Sequence, residues 1–106
     1  MAKYLLKASY TAEGTKGLLR EGGTKRRQAV EEAIRSAGGK LEAFYYAFGD
    51  EDVIIIADLP DNVSVASASL AVNSSGAATT KTIVLLTAEE IDAACKKTIG
   101  YRPPER

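Results

Sequence analysis

The 106-residue sequence predicts an α+β domain of split βαβ topology, with four strands in one antiparallel sheet and helices between them. Three observations carry that reading. Leu41 to Pro60 reads as two strands joined by a tight acidic turn at Gly49-Asp50-Glu51. The second of these strands, Val53-Ile54-Ile55-Ile56-Ala57, is largely β-branched and apolar on both faces, the pattern of a strand covered on both sides. Along the whole chain the periodicities run strand, helix, strand, strand, helix, strand, helix. In the ferredoxin-like arrangement of that order the first and third strands are central, which suits the apolar third strand.

Taken in order, Lys3 to Tyr10 is the first strand. Tyr4, Leu6, Ala8 and Tyr10 point one way, and Leu5, Lys7 and Ser9 the other. Thr11 is a helix cap, with Glu13 in the first turn. Gly14 and Gly17 weaken that helix, Gly22-Gly23 interrupts it, and Leu18 and Leu19 anchor it to the core. Thr24 is expected to cap a stronger helix from Lys25 to Ala37, in which Ala29, Val30, Ala33, Ile34 and Ala37 keep a helical period. Gly38-Gly39 stops it. After the two central strands, Asp61 or Asn62 caps a helix from Val63 to Asn73. It is rich in Ala and Ser, which would let it lie close to the sheet, and Ala66, Leu70 and either Val63 or Asn73 share a face. Ala78 to Thr87 is the fourth strand. Thr87-Ala88-Glu89-Glu90 forms a capping box for a last helix with Ile91, Ala94, Cys95 and Ile99 on its inner face. This gives one domain, residues 1–98, and a tail, residues 99–106.

Composition excludes several chemistries. Fourteen basic and fourteen acidic residues cancel, so no global attraction draws nucleic acid or anionic lipid. There is no histidine, which removes Ser-His-Asp and Cys-His catalysis, histidine-containing zinc sites and haem on a proximal histidine. One cysteine allows no internal disulfide. The start, MAKYLLKASY, is too short and lysine-interrupted for a signal peptide, and no window approaches a membrane span. The expectation is a soluble cytoplasmic protein with no cofactor, no metal and no membrane partner.

Alternation on the third strand sends Val53, Ile55 and Ala57 to one face and Ile54, Ile56 and Asp58 to the other. The two main helices cover only one of these sets. The other leaves an apolar sheet face open, and a second copy of the sheet is the simplest cover. A homodimer built sheet to sheet is therefore expected.

The chain resembles the GYD-domain family of small bacterial proteins. The residues that carry this are Tyr10-Thr11-Ala12-Glu13-Gly14, the run from Arg26-Arg27 to Ala37-Gly38-Gly39-Lys40-Leu41, and Phe44-Tyr45-Tyr46 followed by Gly49-Asp50-Glu51-Asp52. The resemblance implies a dimeric α/β barrel over Met1 to Thr98. It places Glu51 where the family's naming motif has tyrosine, while Gly49 and Asp52 remain. It implies no agreed biochemical role. The wider superfamily includes cofactor-free monooxygenases and small-molecule isomerases, an analogy of fold alone.

The candidate ligand-binding residues are Lys7, Tyr46, Asp52 and Asp58. Lys7 on a central strand has no easy route to water, so Glu42, Asp52 or Asp58 would partner it. Tyr45 and Tyr46 face opposite sides, one toward core or interface and one toward a cavity. The acidic turn Asp50-Glu51-Asp52 reads as a solvated hairpin turn in preference to a metal or base site. Lys25-Arg26-Arg27 reads as an exposed helix face partnered by Glu31 and Glu32 in preference to an anion site. Cys95 reads as a core thiol. RNA binding would need aromatic and basic residues on the central strands, and the third strand has none. Three functions remain: a small-molecule-binding or accessory homodimer, a cofactor-free enzyme on a small aromatic or enolisable substrate, or a structural assembly module. A pocket holding a buried Lys or Asp would favour the enzyme, and a pocket filled by side chains would favour the module.

Overall fold

The computed structural model describes residues 1–105, so Arg106 of the expected tail lies outside the described residues. Eight elements follow the expected order with the first helix divided in two. They are β1 (Ala2–Tyr10), α1 (Ala12–Glu21), α2 (Gly23–Ser36), β2 (Lys40–Tyr46), β3 (Val53–Leu59), α3 (Asn62–Ser74), β4 (Ala78–Leu85) and α4 (Ala88–Cys95). The strands form one antiparallel sheet in the order β2-β3-β1-β4, with β3 and β1 central.

The register decides which residues are core. Tyr4, Leu6, Val53, Ile55, Ala57 and Leu59 are buried on one face, against Ile34 of α2 and Val65 of α3. The opposite face carries Lys3, Leu5 and Lys7 of β1, Ile54, Ile56 and Asp58 of β3, and Lys81, Ile83 and Leu85 of β4. Tyr45 and Ala43 of β2 lie across from Ile54 and Ile56 on that same face. Its centre is apolar, and no element among the described residues covers it. Charge marks its two ends. At one, the Lys3 ammonium sits 2.8 Å from Glu42 and 3.0 Å from Asp58, and those hydrogen bonds hold its pKa above the usual lysine value. At the other, Glu51 lies 3.7 Å from both Lys7 and Lys81, which are direct cross-strand neighbours.

One helix start differs from expectation. Thr24 does not cap α2. The cap position is Gly22, one residue after α1 ends, at φ 86. A single-residue joint between two helices needs the left-handed half of backbone space, which glycine enters without steric cost. Gly22 N–H closes α1 on the Leu18 carbonyl at 2.8 Å, and Thr24 falls inside the first turn of α2. Leu19 points to solvent, and only Leu18 is half-buried.

Asp61 caps α3, accepting from Ser64 N–H at 2.9 Å. The helix is rotated from the expected face, however. Tyr4 donates its hydroxyl to Asn62 Oδ1 at 2.6 Å, which fixes the first turn against the sheet. Val65, Ala68, Ser69 and Val72 then face inward at helical spacing, and Val63 and Leu70 are exposed.

The Asp61 carboxylate lies below the usual carboxylate range because the Ser64 backbone N–H bonds its charged form. A depressed folded-state pKa stabilises the fold above the ordinary carboxylate value and ceases to do so as pH falls through the folded value. Amide exchange at Ser64 and Val65 is therefore expected to quicken as pH drops through the low carboxylate range, after correction for intrinsic rates. Asp61→Asn keeps a capping oxygen without a titration and should show no such step.

α4 has the expected capping box, with both reciprocal Thr87–Glu90 bonds formed. Its inner face has nothing to pack on. Every residue from Leu86 to Glu105 is exposed, Cys95 included, so the expected core thiol lies on a bare helix. No helix among the described residues is long and apolar enough to cross a membrane.

Candidate functional site

The covered face of the sheet is not filled. Small side chains line the facing sides of α2 and α3: Ala33, Ser36 and Ala37 on one, Ser67, Ala68 and Ala71 on the other. The expectation was that the small residues of α3 would bring it close to the sheet. They do seat α3 on the sheet, where Ser69 meets Thr82 of β4 at 3.3 Å, and they also leave a gap between the helices, a cleft of about 410 Å³ whose walls include Ala, Ser and Val72. Beneath it a narrower space of about 100 Å³ has Leu6, Ala8, Val53 and Ile55 as its floor.

Arg26 and Tyr10 line both spaces, and Arg26 is the only charged side chain among the lining residues. Its guanidinium is 3.4 Å from Glu21, not paired with Glu31 or Glu32 as its sequence neighbourhood suggested. Tyr46 stands beside it, at the start of α2. Its hydroxyl donates to the Gly23 carbonyl at 2.9 Å, and its ring meets Phe44 edge-on with centroids 5.1 Å apart. Burial raises the Tyr46 pKa above the usual phenol value, the neighbouring Tyr10 adds to this, and Arg26 opposes it. Two phenols and one guanidinium thus gather at one end of an apolar cleft.

The four residues singled out in the sequence occupy three separate places. Tyr46 is at the cleft end. Asp52 is a backbone fastener: its carboxylate accepts from Tyr10 N–H at 2.8 Å, and its own N–H donates to the Ala8 carbonyl at 2.9 Å. Lys7 and Asp58 lie on the open face, in the two charged clusters at its opposite ends. The partner of Lys7 is Glu51, none of the three acids expected. The acidic turn is only partly solvated, since the Glu51 side chain is 15% exposed. Among the described residues, no three Cys, Asp or Glu side chains are grouped to hold a metal ion.

Arg26 and Tyr10 were missed as site residues because Arg26 read as part of an exposed helix face and Tyr10 only as one of the residues sharing a face of the first strand. The alanines Ala33, Ala37, Ala68 and Ala71 are the signal that could have found the cleft, because short side chains recur on both helices at the same face.

The sequence model of the GYD domain matches residues 4–95, from within β1 to the end of α4. The chain belongs to the GYD-domain family. No curated protein and no solved structure matches it. In this GYD domain the matched span includes the whole cleft, α4 and the open sheet face apart from Lys3. The chemistry on offer at the cleft is hydrogen bonding and anion pairing. No carboxylate, lysine or thiol lines it.

Proposed function

We propose that this GYD domain is a small-molecule-binding homodimer in the cytoplasm, with the ligand between α2 and α3 and a second copy on the open sheet face. The cleft carries the reading. It has an apolar floor, walls of small side chains, and one guanidinium with a phenol to orient what enters. That combination suits a compact apolar body with one anionic or strongly accepting head group, held by Arg26. The cleft is not filled by side chains, which argues against a purely structural module. It lacks a buried Lys or Asp, which argues against proton-transfer catalysis there.

Native mass spectrometry of the purified protein is the test. A bound small anion is expected. Ala33→Phe should abolish it while leaving the fold intact, because Ala33 is exposed and lines the gap. Arg26→Gln should weaken it about tenfold or more, the loss of one charge-assisted hydrogen bond. Retention of the ligand in Ala33→Phe would place it elsewhere.

The second copy is supported by the open face. Leu5, Ile54, Ile56 and Ile83 form its apolar centre, and each buried isoleucine is worth about 1.5–3 kcal/mol. Sedimentation equilibrium at low micromolar concentration is expected to give a dimer of the 11.3 kDa chain, and Ile54→Lys a folded monomer or an aggregate. A wild-type monomer that folds cooperatively would end this part of the reading.

A further inference from the structure

We infer that α4 is an exchanged arm: it docks on the open sheet face of the second copy, at the end marked by Lys81. The inference rests on the dimer proposed above. It starts from a helix that should not stand alone. α4 has eight residues, and isolated helices shorter than about 12–15 residues are marginal in water. A complete capping box helps its first turn, yet its stripe of Ile91, Ala94 and Cys95 meets no surface of its own chain. The shape agrees. The radius of gyration is 16.9 Å, against about 13 Å for a compact chain of this length. A projecting segment accounts for the excess.

Each chain therefore offers an unpartnered apolar helix and an unpartnered apolar sheet face. A two-fold pair satisfies both at once, because each copy gives one and receives the other. Charge selects where the arm lands. Its exposed acids are Glu89, Glu90 and Asp92, all in the first five residues of α4. At the Lys3 end of the face one lysine already has two carboxylates, Glu42 and Asp58. That end repels the arm. At the other end two lysines share Glu51 alone, and the Lys81 side chain is 77% exposed. That end has a cation to spare. Connectivity fits as well. The arm leaves β4 at Leu85, which pairs with Lys3, so a partner with strands running the opposite way presents its Lys81 end there.

Two measurements on the full chain test this. Amide exchange at Ile91 to Cys95 is expected to be slow when the dimer is populated and to become fast on dilution to monomer. A zero-length carbodiimide link between Lys81 and Glu89 or Asp92, made in an equal mixture of ¹⁵N-labelled and unlabelled chains, is expected to join labelled to unlabelled peptides. Asp92→Lys should weaken the dimer about tenfold, and Lys81→Glu in the same chain should restore it. A dimer whose α4 amides exchange freely, or whose links stay within one chain, overturns the arm exchange and leaves the dimer standing. A monomer at every concentration overturns both.

Discussion

Tyr4→Ala is expected to remove about 3–5 kcal/mol of stability, a large share of the roughly 5–15 kcal/mol that a domain has. Tyr4 is fully buried at the centre of the sheet, with Ala57 on one side and Val84 on the other. Removing the ring leaves a cavity between the sheet and α3. It also leaves Asn62 without the hydroxyl that donates to it at 2.6 Å. Tyr4→Phe separates the two effects. It keeps the ring and loses the hydrogen bond, so a cost of about 1 kcal/mol is expected. Urea unfolding of the three proteins measures both. Equal costs for the two substitutions would show that the ring itself contributes little.

Gly14→Ala is expected to destabilise by about 1–3 kcal/mol or more, although Gly to Ala inside a helix ordinarily stabilises by about 1 kcal/mol. The sign is set by one close approach. A Cβ on Gly14 would lie 1.9 Å from the Ala77 carbonyl oxygen and 2.8 Å from the Tyr10 ring. The carbonyl cannot simply swing away, because it accepts from Thr11 N–H at 3.0 Å and from the Thr11 hydroxyl at 3.2 Å. Gly17, one turn along the same helix, has nothing within 4 Å of its added Cβ. Gly17→Ala should therefore stabilise. If both substitutions stabilise, α1 does not sit against the loop before β4 as described.

The pattern of strands was readable because alternation is a local property. Val53 to Ala57 identified itself as central, and β1 divided correctly into Tyr4 and Leu6 on one side and Leu5 and Lys7 on the other. The capping box of α4 was readable for the same reason, since its two bonds lie within one turn. What escaped was set by contacts between distant segments. The rotation of α3 depends on Tyr4 reaching Asn62 from the far end of the sequence. Gly14 read as a weak point in a helix, and nothing nearby in sequence announces Ala77. Thr24 is a good capping residue by type, but the one-residue joint at Gly22 leaves it no capping position. Of the candidate site, Tyr46 was named and Arg26 was not. A cleft is space left by short side chains on two helices, and composition registers those residues only as good packing material.

The strand order bears on how the chain reaches this fold. β2 and β3 are the only neighbours in the sheet that are also neighbours in sequence. β1 occupies a central position, yet Lys3 pairs with Asp58 on one side and Leu85 on the other. The first strand therefore waits for Leu59 before its first ladder can be completed, and for Leu85 before its second. The β2–β3 hairpin can form on the microsecond scale by itself, while closure around β1 requires the long-range pairings that slow folding in proteins of high contact order. Until then the Val53 to Ala57 strand has one bare edge, and the speed with which β1 fills it sets how long the nascent chain is open to pairing with its neighbours.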